Sequence, residues 1–250
     1  MQSTTRKALH DLLKSFTEKS LRNYDVEKLK RAYPFHRLFF DEIGLVAFKQ
    51  ERSMVTKMGR DLYPELTRLI AMEKYSAVVL EKVIEGKLNA PMVSKIDQIV
   101  RELRERQRRP NHIQEMNEIF NAKFGTDERI VRVIADVYIG DFKTGPLFIE
   151  LKTPQPNLDI CAQSKSKILT FKTLLGNQNP NAYLAFYYNP FVTRAEYSHS
   201  FTKQIMDMNE EVLMGEEFWD MIGGKGTFAQ LLEIIENVGD EIRKEKKEWR

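Results

Sequence analysis

Residues 130–152 read IVRVIADVYIGDFKTGPLFIELK, and this stretch decides the fold. Its two ends, 130–140 and 146–152, are rich in β-branched and apolar residues, and GDFKTGP (140–146) between them is turn-like. The pattern predicts an antiparallel hairpin. With the turn across 140–146, Ile139 faces Leu147, and the same register carried back puts Asp136 opposite Glu150. Residues directly opposite share a face and lie about 5 Å apart. Side chains alternate along a strand, so Lys152 shares that face with Glu150, while Leu147, Ile149 and Leu151 point to the core.

Outward from the hairpin, the period changes to that of helices. Residues 4–22 carry Leu9, Leu12, Leu13, Phe16 and Leu21 near helical spacing. Pro34 breaks the next segment. Residues 61–85 read as one or two long helices, with Leu62, Leu66, Leu69 and Ile70, then Val78, Val79, Leu80 and Val83, ended by Gly86. Helices follow over 91–109, stopped by Pro110, and over 111–123, with Gly125 as exit. After the hairpin come a helix at 158–175, a third strand at 182–188, and helices at 200–214 and 227–248. Phe218 and Trp219 fall on a further helix as packing residues. The expected architecture is α/β: a mixed sheet with a hairpin and crossover helix inside a large helical shell. At 250 residues the chain reads as a single domain (1–250), with a mainly helical part at 1–110, a core at 111–190 and a helical part at 191–250.

Two carboxylates opposed on a hairpin repel, so the pair calls for a cation between them. Oxygen ligands suit a hard divalent ion such as Mg²⁺, which takes one or two carboxylates plus water and substrate phosphate. A metal held there can activate water and clamp a phosphate, with Lys152 orienting the water or offsetting charge on the scissile group. The chemistry that fits is phosphodiester hydrolysis. Carboxylate-x-Lys alone carries little: Glu85/Lys87, Asp141/Lys143 and Glu245/Lys247 share it. Only Glu150/Lys152 sits on an apolar strand with an acid upstream in register. A helix often adds another acid. Glu65, between Leu62 and Leu69 at the edge of a buried stripe, is preferred over Glu118, which sits on a polar face.

These residues resemble the PD-(D/E)xK nuclease motif, with Ala135 where the proline often stands. The wider chain looks like the TdeIII/MjaII group of type II restriction endonucleases through ERSMVTKMG (51–59), FIELKTPQPN (148–157) and MGEEFWDMIGGKGTFAQLLEIIENVG (214–239). The resemblance implies a restriction-endonuclease-like core and a Mg²⁺-dependent enzyme that cuts both strands of double-stranded DNA at a short palindrome, with GGNCC suggested. It implies Asp136 and Glu150 as metal ligands and Lys152 as the catalytic lysine, and it lends support to Glu65. The alternatives are another nuclease of the superfamily, acting in repair or recombination, and a non-enzymatic helical DNA-binding protein.

A palindrome read by one active site per chain implies a homodimer. Candidate DNA contacts are Lys165 and Lys167 on the helix after the catalytic strand, and Arg194, His199 and Lys203 after the third strand. Arg101, Arg104, Arg106, Arg108 and Arg109, and the tail RKEKKEWR (243–250), are candidates for phosphate contact. Lys+Arg 39 against Asp+Glu 36 gives +3, which argues against a protein that coats polyanions indiscriminately. Four scattered histidines and the single Cys161 do not make a zinc site or a disulfide. The Gly223-Gly224-Lys225-Gly226 run lacks P-loop spacing, so no nucleotide cofactor is expected. No uncharged apolar run approaches the roughly 18 residues a membrane span needs. With no apolar leader, the expected location is the cytoplasm.

Overall fold

The computed structural model describes residues 1–21 and 23–247. The last three residues of the basic tail, 248–250, lie outside the described residues. Contacts group the chain into two compact units, residues 1–66 with 230–250, and residues 67–229.

The first unit holds α1 (Ser3–Ser20), α2 (Val26–Ala32), α3 (Glu42–Lys57), the start of α4 (Tyr63–Ala71) and most of α10 (Thr227–Lys247). Leu9 and Leu13 of α1 are buried. Beside them His10 Nε2 lies 2.8 Å from Glu241 and Lys14 Nζ 2.7 Å from Glu245. Asp25 and Asp41 cap α2 and α3 by accepting from Lys28 N and Gly44 N.

The second unit is built on a five-stranded sheet of order β1-β2-β3-β4-β5. The strands are β1 (Val78–Asn89), β2 (Glu128–Ile139), β3 (Leu147–Lys152), β4 (Asn181–Phe186) and β5 (Val212–Met214). β1/β2 and β2/β3 are antiparallel, while β3/β4 and β4/β5 are parallel. The helices are α5 (Ala90–Arg104), α6 (His112–Asn121), α7 (Leu158–Leu174), α8 (Ser200–Ile205) and α9 (Glu216–Gly223). This is the mixed sheet with hairpin and crossover helix that the sequence predicts. α7 is the crossover from β3 to β4. Asn157 starts it by accepting from Ile160 N, and it buries Cys161, Ile168, Leu169 and Phe171. The core under α5 and α7 includes Ile96, Ile99, Phe148, Ile168, Phe171, Leu184 and Phe186. The five apolar-to-acid positions of β3, 147–151, are all buried, so β3 is covered on both faces.

Two expectations need correction. The segment read as helix through residue 85 leaves α4 at Ala71 and becomes strand β1 from Val78. The run VVLEKVIEGKLN is β-branched at four positions, and its apolar residues fit either period over so short a stretch. The helix expected over 200–214 ends at Ile205, and residues 212–214 form β5 instead.

Hairpin register is as expected at Ile139↔Leu147, Tyr138↔Phe148 and Val137↔Ile149. Its turn is pressed against the turn before β4. A Cβ on Gly145, whose φ is +126°, would lie 2.2 Å from the Asn179 carbonyl oxygen and 2.4 Å from that of Gln178. Gly145→Ala is therefore expected to cost about 2–4 kcal/mol, read as a lower urea midpoint with the m-value unchanged. A midpoint equal to that of the parent chain would refute this packing.

Candidate active site

Glu150 is 2% exposed on the most enclosed strand of the sheet. A lone ionised carboxylate there would cost several kcal/mol. Two ammonium groups hold it. Lys152 Nζ lies 2.8 Å from Glu150 Oε1. Lys167, reaching back from α7, donates to both carboxylate oxygens at 2.9 and 2.8 Å. Lys152 also donates to Asp136 Oδ2 at 3.0 Å and to the Leu151 carbonyl at 2.9 Å.

Asp136 enters by a different route. The β2/β3 ladder stops at Val137↔Ile149. Just beyond it the Leu151 N–H donates to Asp136 Oδ2 at 2.7 Å, so a side chain takes the amide that a strand carbonyl would otherwise accept. Asp136 Oδ1 has no partner among the described residues, and the side chain is partly exposed. On the other edge of β2, the β1 register skips only Glu81 and Asp136, and Glu81 has a φ of +49°.

Burial works to lower the pKa of Lys152, and the charges of Asp136 and Glu150 beside it more than offset this. Its ammonium is thus held above the ordinary lysine value and stays protonated at neutral pH. The result is two carboxylates and two lysines within hydrogen-bond reach of one another, with one free carboxylate oxygen facing outward. The donors are all oxygen, which fits a hard divalent cation, and the cluster already shows how much positive charge these acids require.

Other candidates from the sequence are placed as follows. Glu65 is half-buried on α4, in the first unit. Glu118 is bound to both Arg108 nitrogens at 2.8 and 3.0 Å and to Gln114, and the Arg108 guanidinium holds its carboxyl below the ordinary value. Arg194 is engaged internally: it pairs with Glu217 and donates to the Met208 and Val212 carbonyls. His199 caps α8 by accepting from Thr202 N, and burial lowers its pKa. Lys203 is exposed on α8. Lys167 is on Glu150 rather than turned outward as a base contact. It lies four residues before Phe171 and three after Ser164, both buried, and that spacing is the signal for its inward face.

Lys165 is corrected outright. It is 0% exposed and cannot reach a base edge. Its Nζ lies 2.5 Å from Glu115 and 2.6 Å from both oxygens of Glu211, which are themselves fully buried. His112 Nδ1 is 2.8 Å from Glu211, and Lys172 Nζ is 2.8 Å from His112 Nε2. His112, Glu115 and Glu211 offer ligand atoms within 4.8 Å of one another, a set that could hold a metal ion. Here the Lys165 ammonium lies among them and supplies the cation. Burial would raise the Glu211 pKa, but Lys165 and then His112 bring it down to about 2.

A five-stranded mixed sheet wrapped in helices, with an acid across from acid-x-lysine on its hairpin, defines the class as a restriction-endonuclease-like α/β fold. The chain belongs to the family described as "Type II restriction endonuclease, HinfI", which matches residues 1–239. It is 30% identical over 259 residues to the type II restriction enzyme HgiBI of Herpetosiphon aurantiacus, covering 94% of this chain and 93% of that one. HgiCII of the same organism is 29% identical over 257 residues, with the same coverage. MjaII of Methanocaldococcus jannaschii is 29% identical over 252 residues, covering 86% of this chain and 65% of that enzyme. No solved structure matches the chain significantly. The protein is a site-specific deoxyribonuclease of restriction–modification type.

Removing the Lys165 ammonium leaves two buried acids uncompensated. Lys165→Met is expected to destabilise the protein by about 3–5 kcal/mol in urea unfolding. Because the folded-state pKa of Glu211 lies below its usual 4.5, its contribution is complete above about pH 4.5. It is lost as the pH falls towards about 2. Acid unfolding profiles should show that loss in the parent chain, and a Lys165→Met variant as stable as the parent would refute it.

Proposed function

We propose that this is a Mg²⁺-dependent PD-(D/E)xK enzyme in which Asp136 and Glu150 hold the metal and Lys152 is the catalytic lysine. The observation that carries the reading is the convergence of Asp136, Glu150 and Lys152 on one buried-edge cluster, with Asp136 Oδ1 free. It cuts both strands of double-stranded DNA at a short palindrome, for which the resemblance suggests GGNCC. Two copies act as a homodimer, each cutting one strand, with the whole chain serving as one nuclease domain in the cytoplasm. Glu65 is the candidate for a further acid.

The bound ion would polarise a phosphate oxygen and favour ionisation of its water. Asp136 and Glu150 supply the oxygens that would hold it. The strand amide of Leu151 fixes Asp136 Oδ2, which leaves Oδ1 as the outward ligand. Lys152, kept protonated by both acids, presents positive charge where a scissile phosphate gains negative charge. Lys167 holds Glu150 from the opposite side and keeps its orientation without substrate.

Asp136→Ala and Lys152→Ala should each lower plasmid cleavage by at least about a thousandfold, with DNA binding in Ca²⁺ retained. Chelation should abolish cleavage, and Mg²⁺ should restore it. Full cleavage by either variant would refute the site. Sequencing the cut ends separates a fixed palindrome from cutting guided by DNA structure, the pattern of a repair nuclease.

A further inference from the structure

The five arginines at 101–109 do not behave as one patch. Arg104 pairs with Asp159 at 2.6 Å. Arg108 is neutralised by Glu102 and Glu118 at 3.2 and 2.8 Å. Arg106 and Arg109 line an open cavity of about 720 Å³ between the end of α5 and helix α8, and Lys203 lines it from the α8 side. All three are exposed. Arg109 and Lys203 make no hydrogen bond or ion pair among the described residues. Arg106 is aimed there by its backbone and by a neighbour. It leaves α5 with a φ of +59°, and its Nε donates to Gln204 Oε1 at 3.1 Å. Gln204 in turn donates to the Leu103 and Arg104 carbonyls, closing the end of α5. The cavity's one acid, Asp207, is spent on backbone amides: it accepts from His112 N at 3.0 Å, and from Asn209 N and Glu210 N at 3.0 and 3.3 Å. The cavity therefore presents three exposed cationic groups against one carboxylate, whose oxygens are already taken up by backbone amides rather than by a cation.

Its position bears on the ligand. Tyr197, three residues before α8, donates to the Pro154 carbonyl at 2.5 Å. Arg104, at the end of α5, pairs with Asp159 in the first turn of α7. Both contacts tie segments next to the cavity's lining to the chain that follows Lys152. Pro154 is two residues past Lys152, at most about 7 Å of chain. The cavity thus adjoins the segment that leads from the C-terminal end of β3 into α7, the end of parallel strands at which such sheets bind ligands.

We propose that this cavity grips the backbone phosphates of the DNA flanking the cleaved bond, through Arg106, Arg109 and Lys203, and sets register without reading sequence. The assignment rests on the DNA-cutting reading above, and its test is a binding measurement that does not depend on the catalytic cluster. Anisotropy titrations in Ca²⁺, over a salt series, compare the parent chain with Arg109→Ala/Lys203→Ala. One duplex carries the site mapped from the cut ends and a second lacks it. The double variant is expected to bind both duplexes about tenfold more weakly. Its plot of log affinity against log salt should be shallower by about 2, reflecting two lost phosphate contacts. Its melting temperature should be unchanged, since neither side chain has a partner among the described residues. Unchanged affinity and slope would overturn the proposal. So would a loss confined to the cognate duplex, which would mean base reading, or a loss of inorganic phosphate binding with DNA binding intact, which would mean a small-anion site. Asp136→Ala, assayed for cleavage in Mg²⁺ alongside these titrations, separates the two ideas: retained cleavage by that variant sinks the catalytic assignment and leaves the binding result standing.

Discussion

The charge on Glu150 constrains everything around it. A carboxylate at 2% exposure on a strand covered on both faces must be paired or neutralised. Two lysines from two elements do this, Lys152 from the same strand and Lys167 from the crossover helix. That requirement fixes the rotation of α7 about its axis. With Lys167 turned to the sheet, Lys165, two residues earlier and about 200° round the helix, must face elsewhere. It faces α6 and the turn before β5, where Glu115 and Glu211 receive it. One buried acid on β3 is thus linked through α7 to a second, fully buried ionic cluster that pins α6.

This linkage explains what was legible in the sequence. The hairpin and its register follow from alternation and turn chemistry, which are local, and Ile139↔Leu147 is where the pattern puts it. The same arithmetic puts Asp136 opposite Glu150, but the ladder ends at Val137↔Ile149, and Asp136 instead meets the Leu151 amide and the Lys152 ammonium. The face of α7 follows from no such local rule. Lys165 and Lys167 look alike as charged residues on a helix whose inward side is crowded with small and apolar residues all round, and the amphipathic signal is weak because α7 is buried over most of its circumference. Only the acids they meet, 17 to 50 positions away in sequence, separate them. β1 escaped for a related reason. It is the sheet's edge and alternates charge with exposed valines, so its apolar residues do not mark a single buried face.

Net charge is equally uninformative until the pairs are assigned. Arg104, Arg108 and Arg194 are consumed by internal acids or carbonyls, and so are Lys152, Lys165 and Lys167. The sum of +3 therefore says little about where a polyanion meets the protein. What matters is which cations are left without partners among the described residues and share a surface, as Arg109 and Lys203 do in the cavity beside the segment that follows Lys152.

The break in the sheet at Asp136 is the cost of using that residue. Val133 and Ala135 pack in the cluster under α5 and α7, and Tyr138 packs against the same cluster. Strict alternation would put residues 133 and 135 on the face opposite 138, so β2 must turn over between them. Asp136 is the residue at which it turns. A regular strand could not send the Asp136 side chain to the Leu151 amide and keep its own ladder with β3, and the ladder does end there. β1 must follow the same turn to stay paired on the other edge. It does so at Glu81, which takes a left-handed φ that costs a non-glycine residue about 1 kcal/mol or more. The strained backbone and the reoriented carboxylate are therefore one feature: β2 gives up one pair with β1 and its ladder with β3 beyond Val137 so that a single acid can stand beside a buried one.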